Sequence, residues 1–214
     1  MIYEFPGKTD DIKQGDIFFG LPRVEISMKK MLVFSEDGNL EEMEWKTIAA
    51  KKEGVTALFG VKPVIAIVAT QNCDVSHSRD ITLCEIRPFA EVEGKAKQAS
   101  SPKSLKNIIT QHARINQKWF YLPPDSRLGF TEKMAVDFRV TLRLSRTEIE
   151  DYRDLRKGRL NSLADEHFRE RIAEFFRRYA YDEWYPLNLE ELKIYKSEYP
   201  EIQPFPWQED PAKE

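Results

Sequence analysis

The 214-residue chain holds 33 basic and 36 acidic side chains, a formal net charge of −3, with 41% hydrophobic and 12% aromatic residues. That composition excludes a disordered or low-complexity chain and predicts one packed domain with room for a small appended subdomain. No apolar run approaches the roughly 20 residues of a membrane-crossing helix, so no membrane partner is expected.

The opening Met1-Ile2-Tyr3-Glu4-Phe5-Pro6 lacks the basic-then-apolar layout of a secretory signal. Two cysteines, Cys73 and Cys84, make no disulfide framework, and the expectation is a cytoplasmic protein with reduced thiols.

In chain order, Asp16-Ile17-Phe18-Phe19 lies between Gly15 and Gly20 and reads as a strand entering a turn at Pro22. Met31-Leu32-Val33-Phe34 reads as a second strand, and Asp37-Gly38 after it favours a hairpin turn. The run Pro63-Val64-Ile65-Ala66-Ile67-Val68-Ala69-Thr70 is short, continuously apolar and rich in β-branched residues. Such a strand is covered on both faces, which makes it the expected central strand. A polar loop leads to Ile81–Arg87, a further strand closed by Pro88.

Residues 94–106, rich in Lys, Ser, Gly and Pro, read as an exposed connection before a short helix from Ser104 to Gln111. Trp119-Phe120-Tyr121-Leu122 then reads as a strand ending at Pro123-Pro124. From Val136 to Leu144 apolar and polar residues alternate strictly, predicting one core face and one wet face bearing Asp137, Arg139, Thr141 and Arg143. The period then becomes helical: Phe168, Ile172, Phe175, Phe176 and Tyr179 share a stripe, with Ser162 and Asp165 spaced as a capping box. A last helix is expected near Leu187–Glu198, before a proline-rich end.

The near-neutral total conceals an uneven distribution. Residues 1–102 carry 13 basic and 16 acidic groups (−3), 103–178 carry 17 and 11 (+6), and 179–214 carry 3 and 9 (−6). The basic middle either faces an external polyanion or is covered by the acidic end of the same chain.

The order Gly15-Asp16-Ile17, the buried strand Pro63–Thr70, and Ile81-Thr82-Leu83-Cys84-Glu85-Ile86 resembles the layout of the MazF/PemK toxins over residues 12–90. The resemblance implies a small SH3-like barrel and a homodimer that acts on single-stranded RNA. That family carries an arginine before the buried strand and a hydroxyl just past the later one. This chain has Lys62 at the first place and Arg87-Pro88-Phe89 at the second. Lysine is a point charge and cannot grip a phosphate bidentately. A strand running into Gln71-Asn72-Cys73-Asp74 is also similar to bacterial proteins of phage- or plasmid-borne kind.

Three chemistries are open to the cluster that follows the central strand. Cys73 is a candidate nucleophile, with His77 or His112 as base and Asp74 as orienter. Cys73, His77, Cys84 and His112 are the residue types that hold zinc, at spacings that match no usual zinc pattern. Gln71, Asn72 and Arg79, with Asp74, suit a phosphate-bearing ligand. Against all three stands a purely structural turn in which Asn72 and Asp74 form Asx turns, Cys73 is buried, and Arg79 pairs with Asp80. Arg139 and Arg143, with Trp119 as a stacking surface, are the candidate nucleic-acid contacts.

The reading is therefore α+β: a small curled antiparallel β-barrel, SH3-like and MazF-like, over residues 1–148, with an inserted short helix. A helical cap spans 149–200 and a proline-rich acidic tail 201–214. The expected function is non-catalytic engagement of RNA or another polyanion in a bacterial defence or mobile-element setting. Alternatives are an enzyme, ribonuclease-like or a cysteine-dependent hydrolase, centred on Gln71–Asp74, and a protein–protein interaction subunit, with a homodimer or a protein partner. No cofactor and no resident metal are expected.

Overall fold

The computed structural model describes residues 2–35, 37–115 (backbone only from 111), 118–177, 193–194, 197–198 and 200–201. Ten strands are described: β1 Tyr3–Glu4, β2 Asp16–Glu25, β3 Met31–Phe34, β4 Leu40–Met43, β5 Ala57–Leu58, β6 Gly60–Val68, β7 Asp80–Pro88, β8 Trp119–Leu122, β9 Met134–Ser145 and β10 Arg156–Leu160. The α-helices are α1 Trp45–Ala50, α2 Asn72–Val75, α3 Phe89–Val92, α4 Pro102–Ile115, α5 Arg146–Asp151 and α6 Ser162–Arg177. Seven strands form a curled antiparallel sheet in the order β1-β10-β2-β6-β7-β9-β8, and β4-β3-β5 form a small second sheet. The fold is α+β with a β-barrel-like sheet.

The central strand lies where its composition places it. β6 is fourth of the seven, with Ile67 in one apolar cluster and Val64, Ala66 and Val68 in another across the sheet. The first cluster is roofed by α6, whose Phe168 stacks edge-on against Phe120 at 5.4 Å and lies 5.8 Å from Phe138. The second lies beneath α5 through Ile149.

β2 does not turn at Gly20. It runs on to Glu25, and the register slips between Phe19 and Leu21, where Gly20 adopts φ of 81°. Pro22 pairs with Pro63, and in this stretch neither β10 nor β7 flanks the two strands. A proline's missing N–H is tolerated where the strand has an open side. Residues 21–25 and 60–64 thus form a two-stranded ribbon, and residues 26–59 between them make an arm. In the arm, the predicted hairpin is β3–β4, and Met31, Val33 and Ile48 form a small core.

The alternation of β9 does not produce one core face. Cys84 pairs with Thr141 but the next residue, Glu85, pairs with Asp137, so Phe138, Arg139 and Val140 are extra residues in β9. An odd insertion reverses the side on which later residues point. Val136 and Phe138 accordingly join the α6 cluster, whereas Leu142 joins the opposite one. Both faces of the sheet are core here, and the inserted residues switch the apolar side of β9 between them.

Helix starts also differ from expectation. α4 begins at Pro102 rather than Ser104, because Ser101 caps it and proline suits the first helical position. α6 is capped by Asn161, whose Oδ1 accepts from the Ala164 N–H at 2.9 Å, in place of a Ser162–Asp165 box. β10 lies inside the seven-stranded sheet, beyond the expected domain boundary at 148, and the compact unit runs through Phe175. The helix expected near 187–198 falls almost wholly, and the tail 201–214 nearly so, outside the described residues, as do Tyr179 and the His112 side chain.

Candidate functional site

The turn after β6 is built by its backbone. Gln71 precedes α2, and the Gln71 carbonyl accepts from the N–H groups of Asp74 and Val75, both at 2.9 Å. Only Val75 of this helix is buried. Asn72 Oδ1 accepts from the Gln14 N–H at 2.8 Å, fastening the turn to the segment before β2 instead of closing an Asx turn. Cys73 is exposed, contrary to the structural expectation, and its Sγ lies 3.9 Å from Gln71 Oε1. Asp74 and His77 are exposed, with hydrogen bonds through their main chains: the Asp74 carbonyl accepts from His77 and Ser78 N–H.

No hydrogen bond among the described residues joins the Cys73, Asp74 and His77 side chains. Cys84, by contrast, is buried on β7, where burial first and Asp137 second push its thiol up to about 12. No cluster of three or more His, Cys, Asp and Glu suited to a metal ion occurs among the described residues.

The arginines of β9 do not form one face. Arg139 is gripped by Asp137, with Nε–Oδ1 at 2.7 Å and Nη2–Oδ2 at 2.8 Å, and Asp137 is 1% exposed. Its hydrogen bond to Asp137 holds the Arg139 guanidinium above its usual range. Arg143 pairs instead with Asp80, at 2.6 and 3.0 Å, on the side of the sheet carrying Thr82 and Thr141. Arg79, exposed, contributes its carbonyl to the Arg146 N–H at 2.9 Å and is not the partner of Asp80. Trp119 is buried to 3% and packs edge-on against Phe89 at 4.9 Å, so it offers no face to a base.

The later basic residues are also occupied within the chain. Arg156 and Arg159 both bind the buried Asp16, Arg146 binds Glu150, and Arg153 reaches the Thr9 carbonyl. Much of the +6 middle segment is therefore matched within the chain, by carboxylates of the same segment (Asp137, Glu150) and by Asp16, Asp80 and the Thr9 carbonyl.

Exposed basic residues also lie along a stretch whose first part, 94–106, is expected to be an exposed connection. Residues 94–118 contain six basic residues, Lys95, Lys97, Lys103, Lys106, Arg114 and Lys118, and no acidic one. Lys95, Lys97, Lys103 and Lys106 are exposed and have no ion-pair partner among the described residues. This stretch includes α4, which lays Leu105, Ile108 and Ile109 against a cluster of Phe89, Val92, Trp119 and Ala135. Beside it opens a groove of about 830 Å³, with Phe89, Leu105 and Ile109 along its apolar side and Lys106, Thr110, Glu132 and Lys133 among its polar lining. The absence of any acidic residue between Glu93 and Asp125 marks this stretch in the sequence.

A second open cleft of about 660 Å³ brings together Arg23, Lys62, Glu85, Arg87 and Glu91. Its charges are matched: Lys62 lies 2.6 Å from Glu25, Arg23 binds Glu85 and Glu25, and Arg87 lies 3.2 Å from Glu91. Compared with known proteins, the chain matches no protein-family model and no curated sequence.

Proposed function

We propose that the protein is a non-catalytic binding protein of MazF/PemK-like, SH3-like barrel type, which engages RNA or another polyanion along the lysine-bearing groove beside α4. A cytoplasmic location and a bacterial defence or mobile-element setting belong to the same reading. The observation that carries it is the acid-free stretch 94–118, in which the exposed Lys95, Lys97, Lys103 and Lys106 have no carboxylate partner among the described residues, whereas Arg139, Arg143 and Arg156 have one. Unpaired surface cations release condensed counterions from a nucleic-acid backbone, the main source of sequence-independent affinity. The apolar side of the groove gives bases or other flat groups a surface to lie on.

Two features support binding without catalysis. The position before the buried strand holds Lys62, bound to Glu25, and β7 ends at Arg87-Pro88 with no hydroxyl. Neither resembles the arginine and hydroxyl pair of the toxins.

The test is fluorescence anisotropy with a labelled single-stranded RNA at low salt. The Lys103→Glu/Lys106→Glu variant is expected to lose affinity by tenfold or more, and Arg139→Glu/Arg143→Glu to lose less. Unchanged binding in the lysine variant overturns the proposal.

A further inference from the structure

The bulge in β2 and the helix α5 leave a pocket between them. Gly20 has no partner in the register of β2 with β6 and takes φ of 81°. A Cβ at Gly20 would meet nothing within 4 Å, so the wall at the bulge is open. Above it, Ile149 of α5 is 2% exposed and belongs to the same apolar cluster as Leu21, whereas Leu144 and Leu155, on either side of the helix, are only partly buried against that cluster. These residues enclose about 270 Å³. A cavity of about 150 Å³ holds benzene, so this one has room for one ring on a short arm and too little for a helix or a strand.

The pocket carries charge of one sign. Its lining is apolar apart from Glu148 and Tyr152 and includes no basic residue. Glu148 and Tyr152 stand four residues apart, and the Tyr152 N–H donates to the Glu148 carbonyl at 3.0 Å, which sets both side chains on one side of the end of α5. Both are exposed. Among the described residues the Glu148 carboxylate has no hydrogen bond or ion pair, whereas Glu150 on the same helix is bound by Arg146.

We propose that this pocket binds a small organic ammonium, its ring against Leu21, Ile149 and Leu155 and its charged nitrogen at the rim beside Glu148 and Tyr152. The unpaired carboxylate attracts a cation, and the face of a tyrosine ring adds to that attraction. An anionic ligand of the same size would meet Glu148 as a like charge, with no cation in the lining to offset it. A neutral ring would gain only the apolar contact. No residue lines both this pocket and the lysine-bearing groove, so the two sites select opposite charges independently.

The test is a titration of the full chain, labelled with nitrogen-15 and followed by its amide shifts, with benzylamine, benzyl alcohol and phenylacetate as probes. Benzylamine, protonated at neutral pH, is expected to move the amides of Gly20, Leu21, Ile149 and Tyr152 with a Kd of about 1 mM, the range open to a ligand of so few atoms. Phenylacetate is expected to bind about fivefold more weakly or less. Glu148→Gln changes an exposed side chain and is expected to weaken benzylamine by about threefold, the scale of an exposed charge pair, while benzyl alcohol binds as before. Absence of shifts at these amides with benzylamine in roughly tenfold excess over that Kd overturns the proposal, as does phenylacetate binding as tightly as benzylamine, or undiminished benzylamine affinity in Glu148→Gln.

Discussion

Asp16 and Arg159 form a buried two-point pair between β2 and β10, with Nε–Oδ1 at 2.5 Å and Nη2–Oδ2 at 3.0 Å. Asp16 also accepts from Arg156 Nη1 at 3.0 Å, and the two guanidinium groups reach on to the carbonyls of Gly7, Asp10 and Asp11. One carboxylate thus seats two arginines and fastens the segment 7–11 over the sheet. Removing one partner from such a network leaves buried charge uncompensated, so Asp16→Ala is expected to cost about 3–5 kcal/mol in chemical denaturation. A loss under 1 kcal/mol would show that the network is dispensable.

Asp165, on the first turn of α6, has its carboxyl pushed up, first by burial, with Arg169 and Arg159 opposing and Asp16 and Glu4 adding to the rise. A folded-state value above the unfolded one means that the folded protein binds the proton more tightly. Asp165 therefore costs stability progressively as pH rises from its unfolded value through its raised folded value, with the full penalty present above both. Asp165→Asn, which mimics the protonated form, is expected to gain relative to wild type as pH rises from about 3 to about 7. Denaturant midpoints across that range check the sign, and a relative loss contradicts it.

The two cysteines differ in environment. Cys73 is exposed on the turn and Cys84 is buried, its thiol raised to about 12. A thiolate is the reactive form, so alkylation of the native protein near pH 8 is expected to give a single adduct, at Cys73. Mass spectrometry of the digested protein checks this, and comparable labelling of Cys84 contradicts the burial of β7.

Gly158 lies where β10 passes Leu128 and β1. A Cβ there would come within 2.6 Å of Leu128 Cδ1 and 3.2 Å of the Glu4 carbonyl oxygen. Leu128 is 2% exposed and has little room to move. Gly158→Ala is expected to destabilise by about 1–3 kcal/mol through overpacking, read as a lowered denaturation midpoint.

The apolar strands β2, β3, β6, β7 and β8 and the amphipathic helix are legible in the sequence because their signals are local, whereas β10, Arg-Lys-Gly-Arg-Leu, carries no strand pattern and falls in the expected helical cap. Apolar continuity identifies β6, and a helical stripe identifies α6 through Phe168 and Phe175. What escapes the sequence depends on pairing. The switch of β9 between two cores follows from three residues that find no partner in β7, and strict alternation from Val136 to Leu144 gives no sign of it. Arg139 and Arg143 look like one basic face for the same reason. The counter-charge of Arg139, Asp137, stands two residues away on the same strand and is visible in the sequence, whereas that of Arg143, Asp80, comes from β7 and depends on pairing. Trp119 resembles a stacking platform in sequence but is buried beneath α3 and α4. The lysine stretch is the reverse case, since the absence of any acidic residue from 94 to 118 is visible in the sequence alone.

The central claim is that the exposed lysines beside α4 meet a polyanion. The direct measurement is the slope of log Kobs against log salt for a single-stranded RNA, in wild type and in Lys103→Gln/Lys106→Gln. With three or four phosphates contacted, the wild-type slope should be roughly −2 to −3, and removing two lysines should flatten it by about 1.4. A wild-type slope near zero, or an identical slope in the two proteins, would contradict the account.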